Sequence, residues 1–181
     1  VVPPKNIQEQ QKRSFFMDVY AAFAKAHMDT FGTTQRQIAL ASAKNHTHSS
    51  LNPLAQYQRA MTVDEVLSAP TVVWPFTIPM CAPVSDGAAA LVLCSRNALK
   101  ETPEARPIKV LASQIRTGIS RNSTDFDKHV GHLTAKAAYD EASVEPGDIS
   151  CAEVHDATAF AEIQQIENLM FAPFGGGGWF I

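Results

Sequence analysis

Apolar positions fall at helical spacing in the first part of the chain and gather into β-like runs later, which predicts helices first and alternating strands and helices after them. Residues 1–14 are polar, contain Pro3 and Pro4, and read as a linker or lead-in. From Met17 to Phe31, the residues Val19, Ala22, Phe23, Ala26 and Phe31 lie roughly on one face, predicting a helix that Gly32 ends. Thr34 and Gln37 have capping-box spacing, so a second helix should start there and run to about His46, with Ile38, Ala39, Ala41 and Ser42 as its small-residue face. The stretch from Thr47 to Met61 contains Asn52-Pro53 and reads as a loop. Thr62 and Glu65 repeat the capping-box spacing and open a short helix that ends before Pro70.

The pattern then changes. Thr71 to Ile78 is rich in β-branched and aromatic residues but carries Pro75, so an irregular or edge strand is expected. Asp86-Gly87 reads as a turn. The continuous apolar run from Ala88 to Cys94 has the character of a strand buried on both faces. Ser95 to Leu99 suits one helical turn, and Ile108 to Ile115 alternates as a further strand. Arg116 to Phe126 is polar and reads as a loop or junction. Lys128 to Ala142 is a helix with Val130, Leu133, Ala137 and Ala138 inside, and Pro146-Gly147 is a stop signal beyond it. Ile149 to Val154 is a short strand, and Phe160 to Leu169 a helix. The four glycines 175–178 are expected to form a loop outside the core. Trp179, Phe180 and Ile181 leave an apolar end, from which further chain is expected to continue.

Composition narrows the function classes. The chain has 181 residues, 45% of them apolar, and a net charge of −3, which fits one good-sized domain or two small ones with a real core. Lys and Arg are not clustered, so neither nucleic acid nor a membrane surface is an expected partner. No apolar run approaches the roughly 20 residues of a membrane span. The first residues lack the features of a secretory signal, and with no initiator Met the true start is expected elsewhere. Cys81, Cys94 and Cys151 are odd in number with no CxxC spacing, which fits buried thiols in a reducing compartment, and the cytoplasm is the expected location.

His155-Asp156 is the sharpest candidate for chemistry, because a strand-to-helix turn is where α/β proteins place functional groups. Asp156 could fix the imidazole tautomer or cap the following helix; the bland alternative is a structural histidine beside a capping aspartate. Lys44, Asn45, His46, His48, Ser49, Asn52 and Gln56 form a polar cluster that could bind a ligand or be a solvated loop. Ser85-Asp86-Gly87 reads first as a tight turn. His46 with His48, His129 with His132, and Cys151 with His155 are pairs only, and none makes a zinc pattern. The glycine run lacks the Lys-Ser/Thr of a phosphate-binding loop.

Three stretches together resemble the thiolase superfamily, most closely its sterol-carrier-protein (lipid-transfer) branch. They are GTTQRQIALASAKNHTHSSLNPLAQY from Gly32 to Tyr57, PMCAPVSDGAAALVLCS from Pro79 to Ser95, and EVHDATAFAEIQQIENL from Glu153 to Leu169, in the family's order and spacing. The similarity covers about residues 14 to 178. It implies an α/β chain with part of a thiolase fold: a helical loop domain over 1–78 inserted in the first thiolase half, the final strands of that half over 79–118, and the start of the second half over 119–181. It also implies coenzyme A or acyl-CoA as substrate, no covalently bound cofactor, and a homo-oligomer or a second subunit as partner. His155 would help polarise a thioester or keto oxygen; Lys44, Asn45, His46 and Ser49 would belong to the CoA-binding wall; the backbone at Ser85 would approach CoA.

The departures from the family pattern bear on activity. Its nucleophilic cysteine, its HPxG histidine and its second cysteine would lie outside this stretch, and none of Cys81, Cys94 or Cys151 sits in a matching motif. The expected parent is a 3-ketoacyl-CoA thiolase or acetyl-CoA acyltransferase, with this chain alone lacking turnover. Two alternatives remain: a carbon–carbon lyase acting on sterol side-chain CoA thioesters, and a non-catalytic module that binds acyl-CoA or a partner.

Overall fold

Ser14 starts the first helix, α1 (Phe15–Phe31), by accepting the Phe16 amide on its hydroxyl, and Gly32 ends it in the left-handed region at φ 76°, returning its N–H to Met28. The structure is a computed structural model that describes residues 14–101, 104 and 106–181. The lead-in expected over 1–14 therefore lies, except for Ser14, outside the described residues. The buried stripe of α1 is Ala21, Ala24 and His27, with Tyr20, Phe23 and Met28 packed beside it. The expected face was centred one residue away, because a histidine at the middle of the stripe does not register as apolar.

Helix α2 (Gln35–Ser49) opens with the anticipated capping box between Thr34 and Gln37 and buries Ile38, Ala39, Ala41, Ser42 and Ala43. It continues past His46 into the stretch expected to be loop. Helix α3 (Val63–Ser68) is capped by Thr62 and Glu65 in the same way and turns Val66 inward. A hairpin comes next, β1 (Thr71–Val73) antiparallel to β2 (Phe76–Thr77), with Thr71 opposite Thr77 and Val73 opposite Phe76. Pro75 sits between the strands, where no ladder hydrogen bond is asked of it. Phe76 and Thr77 are buried, and a 3-10 turn over Ile78–Met80 sends Met80 into the same core.

Two helices complete the packed region. Helix α4 (Val130–Ala142) buries Ala135, while Val130, Leu133, Ala137 and Ala138 are only half-buried. Helix α5 (Ala159–Asn168), capped by Thr158, buries Phe160, Ile163 and Ile166 and is the inner wall against α2. Phe76, Phe160, Ile38, Ile163 and Met80 are almost fully inaccessible and form the centre of the core with the alanines of α1 and α2. Burying each large side chain of this kind contributes about 1.5–3 kcal/mol.

The β-like runs after residue 81 take another course. Ala88–Cys94, Ile108–Ile115 and Ile149–Val154 form no strands, and Asp86-Gly87 forms no turn. Leu91, Val92 and Leu93 are 90%, 96% and 83% exposed, the reverse of a strand buried on both faces. A strand needs a neighbour to take its backbone hydrogen bonds. Among the described residues these runs have no strand beside them; the Ser113 amide donates instead to the Glu141 carboxylate at 3.4 Å, and the sheet holds only β1 and β2. One short pairing exists: Cys81 bridges Thr158, and the Ala82 amide donates to the Ala157 carbonyl at 3.1 Å. The thiols also depart from expectation, since Cys94 and Cys151 are exposed and Cys81 is half-buried.

The glycine run enters the core after all. Gly177 and Gly178 are buried and begin a last helical turn, α6 (Gly177–Phe180), which packs on α5 and α2. A Cβ on Gly177 would come within 2.6 Å of the Ile163 carbonyl and 2.9 Å of a Glu167 carboxylate oxygen. Absence of a side chain is what admits the backbone there. Gly177→Ala is therefore expected to destabilise the protein by about 1–3 kcal/mol in urea unfolding. Gly87→Ala, where an added Cβ meets nothing within 4 Å, should be within about 0.5 kcal/mol of the parent.

His129 caps α4 by accepting the Gly131 amide at 3.0 Å on Nδ1, which the Asn168 amide also faces at 3.0 Å. Burial, with Arg121 and His132 nearby, holds its pKa down to about 4 from an ordinary 6.5. The unfolded chain takes up this proton below 6.5 while the folded chain resists it down to about 4. Stability contributed by the neutral ring is thus full above 6.5 and lost as pH falls through that window. His129→Asn keeps a capping acceptor that cannot titrate, and should flatten the fall in unfolding free energy over this range.

Candidate functional site

The Cys81–Thr158 bridge sets the start of α5 against the end of the hairpin, and α2 closes the third side. A cavity of about 250 Å³ lies in the angle. Its walls include Asn45, His46, Ser49, Tyr57, Cys81 and Asp156. All three stretches singled out in the sequence thus meet at one place.

The polar side chains here are held by short-range geometry. Ser42 donates from Oγ to the Pro79 carbonyl at 2.7 Å, and His46 reaches the same carbonyl with Nε2 at 3.3 Å. Ser49 donates to the His46 carbonyl at 3.0 Å, and the His46 ring stacks on Tyr57 with centroids 5.8 Å apart. Asn45 donates from Nδ2 to Glu162 Oε2 at 2.8 Å and to Asp156 Oδ2 at 3.4 Å. Lys44 pairs with the other oxygen of Glu162. Burial raises the pKa of Asp156, and the neighbouring Glu162 carboxylate adds to the rise while His155 and Lys44 oppose it. Cys81 is also pushed up, to about 11, by burial, and its thiol is directed at the Thr77 carbonyl at 3.7 Å.

Each residue picked from the sequence has a definite place. Asn45, His46, Ser49 and Asp156 line the cavity. Lys44 stands behind it, its ammonium engaged by Glu162 instead of open to a phosphate. His155 is exposed and outside the lining, and among the described residues no hydrogen bond joins it to Asp156. The helix cap is Thr158, not Asp156. Ser85 is exposed, two residues beyond the cavity wall at Pro83. Sequence reasoning passed over Glu162 and Tyr57. Glu162 lies 117 positions from Asn45, and its only local signal is a carboxylate one turn past the Thr158 cap.

A second, larger cavity of about 690 Å³ runs beside α5, lined by Ile149, Val154, Ile166 and Phe171 together with the paired Lys44 and Glu162. Its polar side chains are fewer than those of the first cavity. Among the described residues no group of three His, Cys, Asp or Glu side chains could hold a metal ion, and no helix is long and apolar enough to cross a membrane.

Residues 113–181 match the thiolase C-terminal domain-like family. Similar proteins include an acetyl-CoA acetyltransferase of Methanothermobacter thermautotrophicus, 37% identical over 94% of this chain and 45% of that protein. Benzoylsuccinyl-CoA thiolase subunit BbsB of Thauera aromatica is 33% identical over 87% of this chain and 42% of its own length. Sterol carrier protein 2 of Oryctolagus cuniculus is 32% identical over 88% of this chain and 30% of its own. The chain thus spans less than half the length of these relatives. The solved structure of an Ltp2-ChsH2(DUF35) aldolase superposes with a TM-score of 0.77 at 18% identity, over 99% of this chain and 51% of that one.

Because its folded-state pKa is raised, ionised Asp156 costs stability: nothing is lost below 3.8, and the cost grows as pH rises from there through the folded value. Asp156→Asn is expected to unfold at higher urea concentration than the parent at pH 7, with the difference vanishing near pH 3. A lower midpoint at pH 7 would contradict this electrostatic account.

Proposed function

As a member of the thiolase superfamily, this chain carries part of an acyl-CoA site, we propose, and the cavity between α2, Cys81–Ala82 and the start of α5 is that part. The observation that carries this reading is the meeting of Asn45, His46, Ser49 and Asp156 at one cavity from two segments more than a hundred positions apart. The whole protein would be a 3-ketoacyl-CoA thiolase or acetyl-CoA acyltransferase of the lipid-transfer type, cleaving a 3-ketoacyl-CoA with CoA or condensing two acyl-CoA molecules. In this scheme 1–78 is the helical loop domain, 79–118 ends the first half and 119–181 begins the second. A homo-oligomer or a second subunit fits the BbsB relative, which is itself a subunit.

Thioester chemistry of either direction builds negative charge on a carbonyl oxygen. A donor placed at that oxygen stabilises the transition state more than the ground state. His155, exposed next to the cavity residue Asp156, is assigned this donor role. Lys44 supports the wall through Glu162, and the backbone near Ser85 extends it.

The second reading is a carbon–carbon lyase acting on a CoA thioester. One observation supports it: a solved structure of similar fold is that of an aldolase. Cys81, its pKa pushed up to about 11 by burial, is no nucleophile under either reading. A retro-aldol cleavage needs no thiolate, only a base and a stabilised enolate oxygen, so His155 would keep its role. A third reading, an acyl-CoA-binding module without turnover, shares the cavity and lacks the chemistry.

Calorimetric titration of the protein with acetyl-CoA tests the common core of these readings. Saturable binding is expected; its absence would overturn them all. Steady-state assays then separate them. In the whole protein His155→Ala should lower kcat by about 10²–10³ with little change in KM, in CoA-dependent thiolysis under the first reading and in CoA-independent cleavage under the second. No turnover with either substrate class would leave the binding module.

A further inference from the structure

The cavity holds both free donors and a lightly bonded acid. Gln56 and Tyr57 line it, and among the described residues no hydrogen bond engages the Gln56 amide or the Tyr57 hydroxyl. The other titratable groups are committed elsewhere in whole or in part. Glu162 has both carboxylate oxygens taken, one by Lys44 and one by Asn45. Cys81 keeps its proton and directs it at the Thr77 carbonyl. His46 turns Nε2 to the Pro79 carbonyl and its ring face to Tyr57. Asp156 meets only its own backbone amide and, at 3.4 Å, one hydrogen of the Asn45 amide. Its backbone is nonetheless anchored, because the carbonyl of the next residue, Ala157, accepts the Ala82 amide at 3.1 Å.

The surroundings of Asp156 suit proton exchange. Partial burial raises its pKa and Glu162 on α5 adds to the rise, while the adjacent His155 and Lys44 on α2 oppose it. A carboxyl moved toward the operating pH can both take and return a proton. Its ionised form costs stability, and a group retained at such a cost marks a functional position. We propose that Asp156 is the catalytic proton carrier of carbon–carbon cleavage at this cavity, taking the proton of a 3-hydroxyl on an acyl thioester and returning it to C2. As that proton leaves, the oxygen's electrons form the new C=O bond and the C2–C3 bond breaks. The released pair moves into the thioester enolate. Protonated Asp156 then delivers its proton to C2, which gives an aldehyde or ketone and a shortened acyl thioester. The hydroxyl oxygen and C2 are both bonded to C3, so a single carboxyl group can serve both. No thiolate, oxidant or second substrate enters. This rests on the lyase reading above and names its base.

The test uses the whole protein with 3-hydroxybutyryl-CoA and 3-hydroxy-3-methylbutyryl-CoA, without added CoA, and follows release of acetaldehyde or acetone. A second assay follows deuterium uptake into the methyl group of acetyl-CoA in deuterated water, which is the C2 proton transfer run in both directions. Asp156→Asn is expected to lower kcat for cleavage, and the exchange rate, by about 10²–10⁴. It should do so without lowering the urea midpoint, so the loss is not one of folding. In Asp156→Gly, added formate should restore both rates in a saturable way, because a small carboxylate takes the place of the missing one. Glu162→Gln keeps an oxygen for the Asn45 amide and removes the neighbouring negative charge, so the acid limb of kcat/KM should move to lower pH. Unchanged rates in Asp156→Asn would overturn the inference while lyase activity stands. So would an acid limb that persists in Asp156→Asn and vanishes in His46→Gln, which would give the proton to His46. If the parent cleaves neither hydroxyacyl thioester, the lyase reading itself has failed and the inference falls with it.

Discussion

The packed part of this molecule hangs on one buried histidine. His27, almost inaccessible in the middle of α1, bonds Glu167 on α5 through Nε2 at 2.8 Å and faces the Thr33 hydroxyl through Nδ1 at 2.9 Å. Glu167 uses its other oxygen to accept the Gly177 amide at 2.9 Å. Phe31, Phe126 and Phe160 surround the ring at centroid distances of 4.8, 5.6 and 5.3 Å. Four chain segments are therefore fixed relative to one another by a single polar relay in an apolar cage. Such a relay adds little net stability compared with an apolar core of the same volume, but losing one member strands the others unpaired and costs several times more. Its effect is to specify which face of α5 points inward.

The site depends on that choice. With Ile163, Ile166 and Glu167 turned to the core, the helical period brings Glu162 to the edge facing α2, where Lys44 and Asn45 wait. The cap at Thr158 then places Asp156 just before the helix, and the Cys81 bridge holds the hairpin end against it. Cavity geometry is thus set by core packing two turns away, not by the loop that carries His155.

The helices were legible in the sequence because their signals are local. Thr34 with Gln37, Thr62 with Glu65 and Gly32 each act within four residues, so spacing alone places the end of α1 and the starts of α2 and α3. The small-residue face of α2 was legible for the same reason. What escaped depended on distant partners. The His27 stripe was misplaced by one residue because its burial is made tolerable by Glu167, 140 positions on. The buried glycines look like loop in the sequence because only the Ile163 carbonyl and Gln37, far away along the chain, show why a side chain would not fit. Of the candidate site, the cluster around Asn45 and the pair at 155–156 were visible as residue types; that Glu162 joins them was not.

The three β-like runs expose the limit of a different inference. Apolar composition states that a segment is suited to burial, and it says nothing about whether a neighbour is within reach. Leu91, Val92, Leu93, Ile108 and Ile115 retain the composition of interior strands while standing almost fully exposed. A helix satisfies its own backbone, so α1, α2 and α5 can form from local signals and then pack. A strand borrows its hydrogen bonds from elsewhere, and beyond the β1–β2 hairpin Cys81–Ala82 alone among the described residues finds a strand-like partner, at Thr158 and Ala157. That is why regular structure ends where it does. The cavity sits on Cys81 and Ala82, the last paired residues after the hairpin, and His155 stands two residues before Ala157, where pairing resumes. The donor role proposed for His155 therefore depends on whatever fixes the 149–155 segment, whereas the cavity wall built on α2 and α5 is set by contacts this chain makes within itself.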